Sequence, residues 1–250
     1  MGMVVGLILC LVSLFRGKAH DSFLQISLKD DWRIKKRSVM DVLKVSSSAM
    51  LEQIAMRIGF FSYAKIVAEL GTLAFATHQI CMNIMHLSTA FGDGLSVAGA
   101  SLCGQSLGQK RPDLGMLYGK VGQRYALLCA ALMMVFFIVG GPWVVSWFTD
   151  DPQVVRLGAQ LLVIVALTAP GQTTQMLYAG LLRGSGDTRF IAVCSFISVT
   201  LVRPIFSWVL CYPLGFGLIG AWAGMLLDQY CRTAITLWRF HGEQWTKIEV

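Results

Sequence analysis

Residues 126–145 read ALLCAALMMVFFIVGGPWVV, a stretch without a charged side chain. In helical form, about 20 such residues cross the ~30 Å hydrocarbon core of a bilayer. This stretch is the centre of one of six long apolar segments in the chain. The six candidate spans are 43–69, 74–107, 116–148, 154–182, 190–212 and 217–239. The sequence therefore predicts an all-α integral membrane protein with a bundle of six transmembrane helices.

The loops between these spans alternate in charge. The turns at 69–72, 150–152 and 213–215 contain no Lys or Arg. The other connections and both flanks are basic, at Arg16, Lys18, Lys29, Arg33, Lys35, Lys36, Arg37, Lys110, Arg111, Arg183, Arg189, Arg239 and Lys247. Because cytoplasmic loops carry the excess of Lys and Arg, we expect these segments and the C-terminus on the cytoplasmic side.

Composition favours the lipid bilayer as the main partner. Hydrophobic residues make up 55% of the chain and charged residues 14%, against about 25% charged residues in soluble domains. The net charge of +7 lies largely in short loops, where it indicates topology and contact with anionic lipids and not nucleic-acid binding. The seven cysteines have no CxxC spacing and are interpreted as reduced packing residues. We find no metal-binding motif, no P-loop and no nucleophile with a base, so an enzyme is not expected.

The chain divides into four predicted segments. Residues 1–15 are apolar but short for a span and lack the basic start of a signal peptide, so we interpret them as part of a transmembrane helix. Residues 16–42 are expected to form a partly amphipathic cytoplasmic linker. Residues 43–242 form the six-helix lobe, and residues 243–250 form a cytoplasmic tail.

Two helix faces carry the first candidate site residues. Ionisable groups inside a span are functional candidates because their insertion costs about 2.5–3.5 kcal/mol. Glu52 lies in the first span and is either a cation- or proton-coupling carboxyl or a structural ion-pair partner of Arg57. The neighbouring Gln53 is a candidate for the substrate cleft. In the second span, Gln79, Asn83, His86 and Asp93 share one face. The first two either line the cleft or join helices; for the last two a structural role is favoured, with His86 as a packed core histidine.

Two later spans carry the remaining candidates. Pro170 and Gly171 interrupt the fourth span, either as a gating element or as a plain kink. Three residues near that break, Gln172, Gln175 and Tyr178, are candidates for the substrate cleft. Asp228 is followed four residues later by Arg232, an order that favours mutual neutralisation over a coupling site. Arg203 is a further buried charge that would pair with Asp228 or Glu52, and the GxxxG step at 220–224 indicates close helix packing.

Four stretches of the chain resemble the multidrug and toxic compound extrusion transporters. They are LEQIAMRIGF (51–60), LGTLAFATHQI (70–80), GQSLGQKRPD (104–113) and LRGSGDTR (182–189). The last stretch is the most specific, and its motif residues are Arg183, Gly184, Gly186, Asp187 and Arg189. The four stretches occur in the order and spacing of the C-terminal half of a bacterial member.

The resemblance implies a function for the whole assembly. Members of this family have two six-helix lobes and export amphipathic cationic drugs in exchange for H⁺ or Na⁺, without another cofactor. Glu52 resembles the acid on the seventh helix of the family, which is implicated in cation coupling. The resemblance implies a bacterial inner (plasma) membrane protein whose first lobe is absent here, so we expect an N-terminal lobe or a second copy as a partner. A lipid-linked oligosaccharide flippase of the same superfamily and an inactive fragment remain alternatives; a flippase would need several basic residues in its cavity.

Overall fold

The computed structural model of the chain describes residues 36–242, together with Val4 and Trp245. Regular structure in this described part is entirely helical. In chain order it comprises α1 (Lys36–Ala68), α2 (Thr72–Gly108), α3 (Pro112–Ser146), α4 (Pro152–Gly184), α5 (Thr188–Ile197), a π-helix (Ser198–Val202), α6 (Arg203–Cys211) and α7 (Gly217–His241). The prediction of six helical spans is confirmed, because α5, the π-helix and α6 together form the fifth.

Several predicted segments lie partly or wholly outside the described residues. These are the partial helix at 1–15 except Val4, the linker at 16–35 and the tail at 243–250 except Trp245. Residues 36–42, predicted as linker, instead form the start of α1. The chain divides at Ser46 into two units, and the helix bundle belongs to the second unit.

The helices have the length and surface of membrane spans. Three helical segments, Pro112–Ser146, Pro152–Gly184 and Thr188–Cys211, are long and apolar enough to cross a bilayer. Large apolar side chains point away from the bundle along α3, among them Leu132 and Val139. Such a surface is compatible with hydrocarbon, which solvates apolar side chains and leaves the backbone bonded within each helix. The described part of the chain is a six-helix integral membrane bundle.

Helix α4 forms the centre of this bundle. It packs against α2, α3 and α7, and most of its second half is buried. Its start is fixed locally, because the Asp151 carboxylate accepts a hydrogen bond from the Gln153 amide at 2.9 Å and Pro152 occupies the first turn. This central position brings side chains of α4 into the wall of a cavity between the helices.

Small residues allow the closest helix contacts. A Cβ atom at Gly180 would overlap the backbone of Ser96, and one at Gly184 would overlap the backbone of Ala100. These two glycines are four residues apart, so they form one stripe on α4 facing α2. The predicted close packing at 220–224 is confirmed, because a Cβ atom at Gly224 would lie 2.6 Å from the backbone nitrogen of Ser207.

Aromatic clusters mark the two ends of the lobe. At one end, buried Trp222 and Tyr63 pack around His78, with ring centroids 5.5 Å apart in both pairs. The hydroxyl of Tyr212 donates to Glu69 at 2.9 Å and joins two of the turns without basic residues. At the other end, Phe240 stacks on Trp245 at 5.1 Å. The basic and non-basic turns therefore contribute to different ends.

The fifth span contains a change of helix type. The amide of Arg203 donates to the carbonyl of Ser198, five residues earlier, which is the hydrogen bond of a π-helix. Gly59 on α1 lies against this segment, and a Cβ atom there would overlap the backbone of Val199. The π-helix is thus packed closely against α1 immediately before Arg203.

Candidate functional site

A cavity of about 350 Å³ lies between the helices of the lobe. Its walls come from α1, α2, α4, α5, α6 and α7. Polar and apolar side chains share these walls, and five methionines contribute to the apolar part: Met56, Met82, Met85, Met176 and Met225. Methionine adapts to irregular apolar shapes, so these walls suit ligands that combine an apolar body with polar groups.

Three of the residues proposed for the cleft line this cavity. They are Gln53 on α1 and the pair Gln172 and Gln175 on α4. Gln53 is exposed, Gln172 is half-buried and Gln175 is buried. These amides provide both hydrogen-bond donors and acceptors from two of the helices that line the cavity.

The other three residues proposed for the cleft lie elsewhere. Gln79 and Asn83 are exposed on α2 but are not among the residues lining the cavity. Tyr178 is only 3% exposed and packs edge-on against Phe240, with 5.0 Å between ring centroids. Its ring belongs to the aromatic cluster at the basic end.

A structural role is expected for His86 and Asp93, and the expectation that His86 packs in the core is wrong. Both side chains are exposed, and both line the cavity. They lie one and three turns further along the face that carries Asn83. Depth along the 37-residue helix α2 decides which part of this polar face meets the cavity.

Glu52 lies on α1, but its side chain is outside the described residues. The next residue, Gln53, lines the cavity, and so does Met56 one turn further. Glu52 therefore directly precedes, along α1, a residue that lines the cavity. Its role as a coupling carboxyl remains a proposal.

A buried cluster of charge lies beside the cavity. Asp228 is fully buried, and its Oδ2 atom accepts hydrogen bonds from Arg203 Nε at 3.0 Å and Arg203 Nη2 at 2.8 Å. Arg232 Nη2 lies 3.5 Å from the same oxygen. The expected pairing of Asp228 with Arg232 is present. Arg203, expected to pair with Asp228 or Glu52, makes the shorter, two-donor contact with Asp228. Asp228 does not line the cavity, whereas both arginines do.

The same cluster contains polar atoms without a hydrogen-bond partner among the described residues. They are Asp228 Oδ1, Gln229 Nε2 and Arg232 Nε. Gln229 Oε1 does accept a hydrogen bond from Arg232 Nη2 at 2.6 Å. Buried donors are costly to leave unpaired, so this incomplete network distinguishes the cluster from a purely structural ion pair.

Helix α4 stays continuous through Pro170 and Gly171. Side chains of α7 bond to backbone carbonyls around this point. Tyr230 donates to the Leu167 carbonyl at 2.8 Å, and Thr233 donates to the Gly171 carbonyl at 2.9 Å. Neighbouring hydroxyls thus satisfy the backbone near a proline that removes one helical hydrogen bond, and they fix α7 against α4.

The LRGSGDTR motif forms the tight turn between α4 and α5. Gly186 has φ 87°, a value that favours glycine. Buried Asp187 accepts a hydrogen bond from Arg239 Nε at 2.7 Å, and the Arg239 guanidinium lies 4.7 Å from the centre of the Phe190 ring. The motif therefore attaches this turn to the end of α7, a contact that spacing along the chain did not indicate.

The remaining motif residues have separate positions. Gly184 contacts α2, Arg189 is exposed, and Arg183 is exposed and lines the cavity. Three arginines on three different helical segments therefore contribute to the cavity wall: Arg183, Arg203 and Arg232. Sequence inspection identified each of them without bringing them together, because their convergence depends on how α4, α6 and α7 pack. Among the side chains that the structure describes, no group of three His, Cys, Asp or Glu residues could hold a metal ion.

The family model named MatE matches residues 48–209. The chain belongs to the MatE family. A curated relative, the probable multidrug resistance protein NorM of Thermotoga maritima, is 28% identical over 218 residues. That alignment covers 86% of this MatE chain and 47% of the relative. The MatE chain thus spans about half the length of the curated relatives it matches.

Solved structures of MatE proteins have the same fold as this chain. An outward-facing multidrug resistance MATE family transporter of the MOP superfamily matches with a TM-score of 0.84 at 18% identity. A MOP superfamily transporter from Pyrococcus furiosus, described as having a binding pocket of reverse polarity that suggests a different function, matches with a TM-score of 0.84 at 19% identity. Each match covers 98% of this chain and 55% of the other. The chain therefore has the fold of about half of a MatE transporter.

Proposed function

We propose that this chain is the C-terminal lobe of a secondary transporter that exports amphipathic organic compounds in exchange for H⁺ or Na⁺. The observation that carries the proposal is the cavity, which has polar walls inside a lobe whose outer surface is largely apolar. Exposed polar residues on α2, including His86 and Asp93, continue this polar surface. A polar surface at membrane depth requires water or another protein surface, because lipid offers no hydrogen-bond partners.

A second lobe would supply that surface. The chain spans about half the length of its curated relatives, and several of these are named multidrug resistance proteins or probable ones. We propose that an N-terminal six-helix lobe or a second copy of this chain forms the opposite wall. The basic turns and the C-terminus lie on the cytoplasmic side of the bacterial inner membrane in this proposal.

Glu52 is the proposed coupling residue. It precedes Gln53, which lines the cavity, and it resembles the acid on the seventh helix of the family. A carboxyl near an apolar cavity can exchange a proton or bind a cation during transport. Asp228 is assigned a structural role instead, because Arg203 already neutralises it.

The test uses proteoliposomes containing the purified chain, an imposed H⁺ or Na⁺ gradient and a fluorescent cationic dye. We expect gradient-driven efflux only when a second lobe is present, either as a dimer detected by mass measurement in detergent or as an added six-span segment. Glu52→Gln should abolish the gradient dependence, whereas Asp150→Asn, the same acid-to-amide change at an exposed turn outside the cavity lining, should preserve it. Efflux by a demonstrated monomer would contradict the two-wall mechanism, and undiminished coupling in Glu52→Gln would exclude Glu52.

One observation favours a second candidate function. Three arginines line the cavity, namely Arg183, Arg203 and Arg232. The described lining contains one carboxylate, that of Asp93. Several basic residues are what a flippase for lipid-linked oligosaccharides needs to bind a diphosphate. A flipping assay with a fluorescent isoprenoid diphosphate in the same proteoliposomes separates the two candidates, because a drug exporter of cations should not move this lipid.

A further inference from the structure

The described charges around the cavity do not balance. Asp228 is one carboxylate between two guanidinium groups, those of Arg203 and Arg232. All three side chains are less than a tenth exposed. The cluster therefore carries one unit of excess positive charge in surroundings that solvate charge poorly. An acidic group in the cavity would neutralise it.

Two donors of this cluster are available for such a group. Gln229 Nε2 and Arg232 Nε have no hydrogen-bond partner among the side chains that the structure describes. Gln229 is 5% exposed and Arg232 is 8% exposed, yet both side chains belong to the cavity wall. A small rotation of either side chain would direct its unpaired donor towards a ligand oxygen, and carboxylate and phosphate oxygens are the acceptors that guanidinium groups bind most strongly.

We propose that Arg203, Gln229 and Arg232 form a subsite for the acidic group, a carboxylate or a phosphate, of an amphipathic ligand. The methionines of the same cavity contact the apolar body of that ligand. Asp228 positions Arg203 through its two hydrogen bonds and leaves Arg232 with the weaker 3.5 Å contact. Of the two arginines, Arg232 is thus the one whose guanidinium binds the ligand. This inference rests on the proposed function only in assuming that the bound ligand is then transported. Binding itself is measurable without transport.

The experiment measures equilibrium binding to the full 250-residue chain in lipid nanodiscs. The probes are three small dansyl compounds with the same fluorophore: dansylglycine, which is an anion, its neutral amide, and dansylcadaverine, which is a cation. Fluorescence anisotropy gives the dissociation constant of each. We expect dansylglycine to bind at least about tenfold more tightly than the amide, the ratio typical of one charge-assisted hydrogen bond.

Variants with opposite expected effects separate binding from folding. Arg232→Gln should weaken dansylglycine binding about tenfold, and Arg232→Lys should restore part of it. Asp93→Asn removes a negative charge from the cavity wall and should strengthen dansylglycine binding several-fold, because it removes a repulsion between two like charges in one cavity. Arg156→Gln, the same chemical change at an exposed position outside the cavity, should leave binding unchanged. A folding defect would weaken binding in every affected variant and could not produce this pattern.

Two results would overturn the inference. One is equal affinity for dansylglycine and its amide. The other is preference for dansylglycine only after Glu52→Gln, because the excess charge would then be neutralised by Glu52 within the protein. Competition identifies the source of the acidic group: displacement of dansylglycine by farnesyl diphosphate at far lower concentration than by decanoate indicates a lipid diphosphate, and similar potency indicates amphipathic acids. Anion binding without dye efflux would contradict the proposed exporter and leave the subsite intact.

Discussion

Replacing Asp228 by Asn should destabilise the lobe more than any other single change in its buried charge cluster. Asp228 is fully buried, and its Oδ2 atom accepts hydrogen bonds from Arg203 at 2.8 and 3.0 Å and lies 3.5 Å from Arg232. The variant leaves two guanidinium groups facing each other without a carboxylate. Removing one partner of a buried ion pair costs about 3–5 kcal/mol. The amide oxygen of Asn keeps one acceptor, so we expect about 3 kcal/mol.

Two further variants test where that free energy resides. Arg232→Gln removes the 3.5 Å contact with Asp228 and the hydrogen bond from Arg232 Nη2 to Gln229 Oε1. It leaves the shorter Arg203–Asp228 pair, so its expected cost is about 1–2 kcal/mol. The double replacement of Arg203 and Asp228 by Leu removes both charges of the shorter pair. Since apolar replacement of a whole buried pair is often neutral, the double variant should be more stable than Asp228→Asn.

The assay is reversible unfolding in mixed detergent and SDS micelles, followed by far-ultraviolet circular dichroism. The free energy of unfolding of each variant is compared with that of the unchanged chain under the same conditions. The reasoning is refuted if Arg232→Gln costs as much as Asp228→Asn, because Arg232 would then be the main partner. It is also refuted if the double Leu variant is less stable than Asp228→Asn.

Two other predictions concern the helix packing and the loop charges. Gly180→Ala should lower the free energy of unfolding by about 1–3 kcal/mol, because the new methyl group would overlap the backbone of Ser96; Gly94→Ala on α2, where a Cβ atom meets nothing within 4 Å, is the control and should not destabilise. In a Cys-less background, a cysteine at Lys110 should react with a membrane-impermeant thiol reagent only from the cytoplasmic side, and one at Asp151 only from the outer side. Labelling of position 110 from outside would reverse the proposed topology.

The number and bounds of the helices could be predicted from the sequence because hydrocarbon thickness acts locally. A run of apolar residues either is or is not long enough to cross the bilayer, and each observed helix begins and ends within a few residues of its predicted span, except α1. Helix α1 begins earlier, at Lys36, because a helix does not have to end where the hydrocarbon ends. The predicted span begins at residue 43 because residues 36–42 include charged side chains. Charged side chains do not determine whether the backbone is helical.

The composition of the cavity wall could be predicted only in part. Helical periodicity correctly placed Gln79, Asn83, His86 and Asp93 on one face, but depth along α2 decided that only the last two line the cavity. The choice of Arg203 as the main partner of Asp228 depends on how α6 and α7 pack. Neither depth nor the contact between separate helices is encoded in the spacing of residues along one helix.

The π-helix at Ser198–Val202 has a consequence for alignments of this chain. A π-helical turn holds one residue more than an α-helical turn, and each additional residue rotates the rest of the helix by about 100° around its axis. Positions 203–211 therefore face directions that a continuous α-helix starting at Thr188 would not give them. Aligned with a relative that is α-helical throughout this span, the chain requires a one-residue insertion between Ser198 and Val202. Without that insertion, Arg203 would be matched to a residue on a different face of the helix.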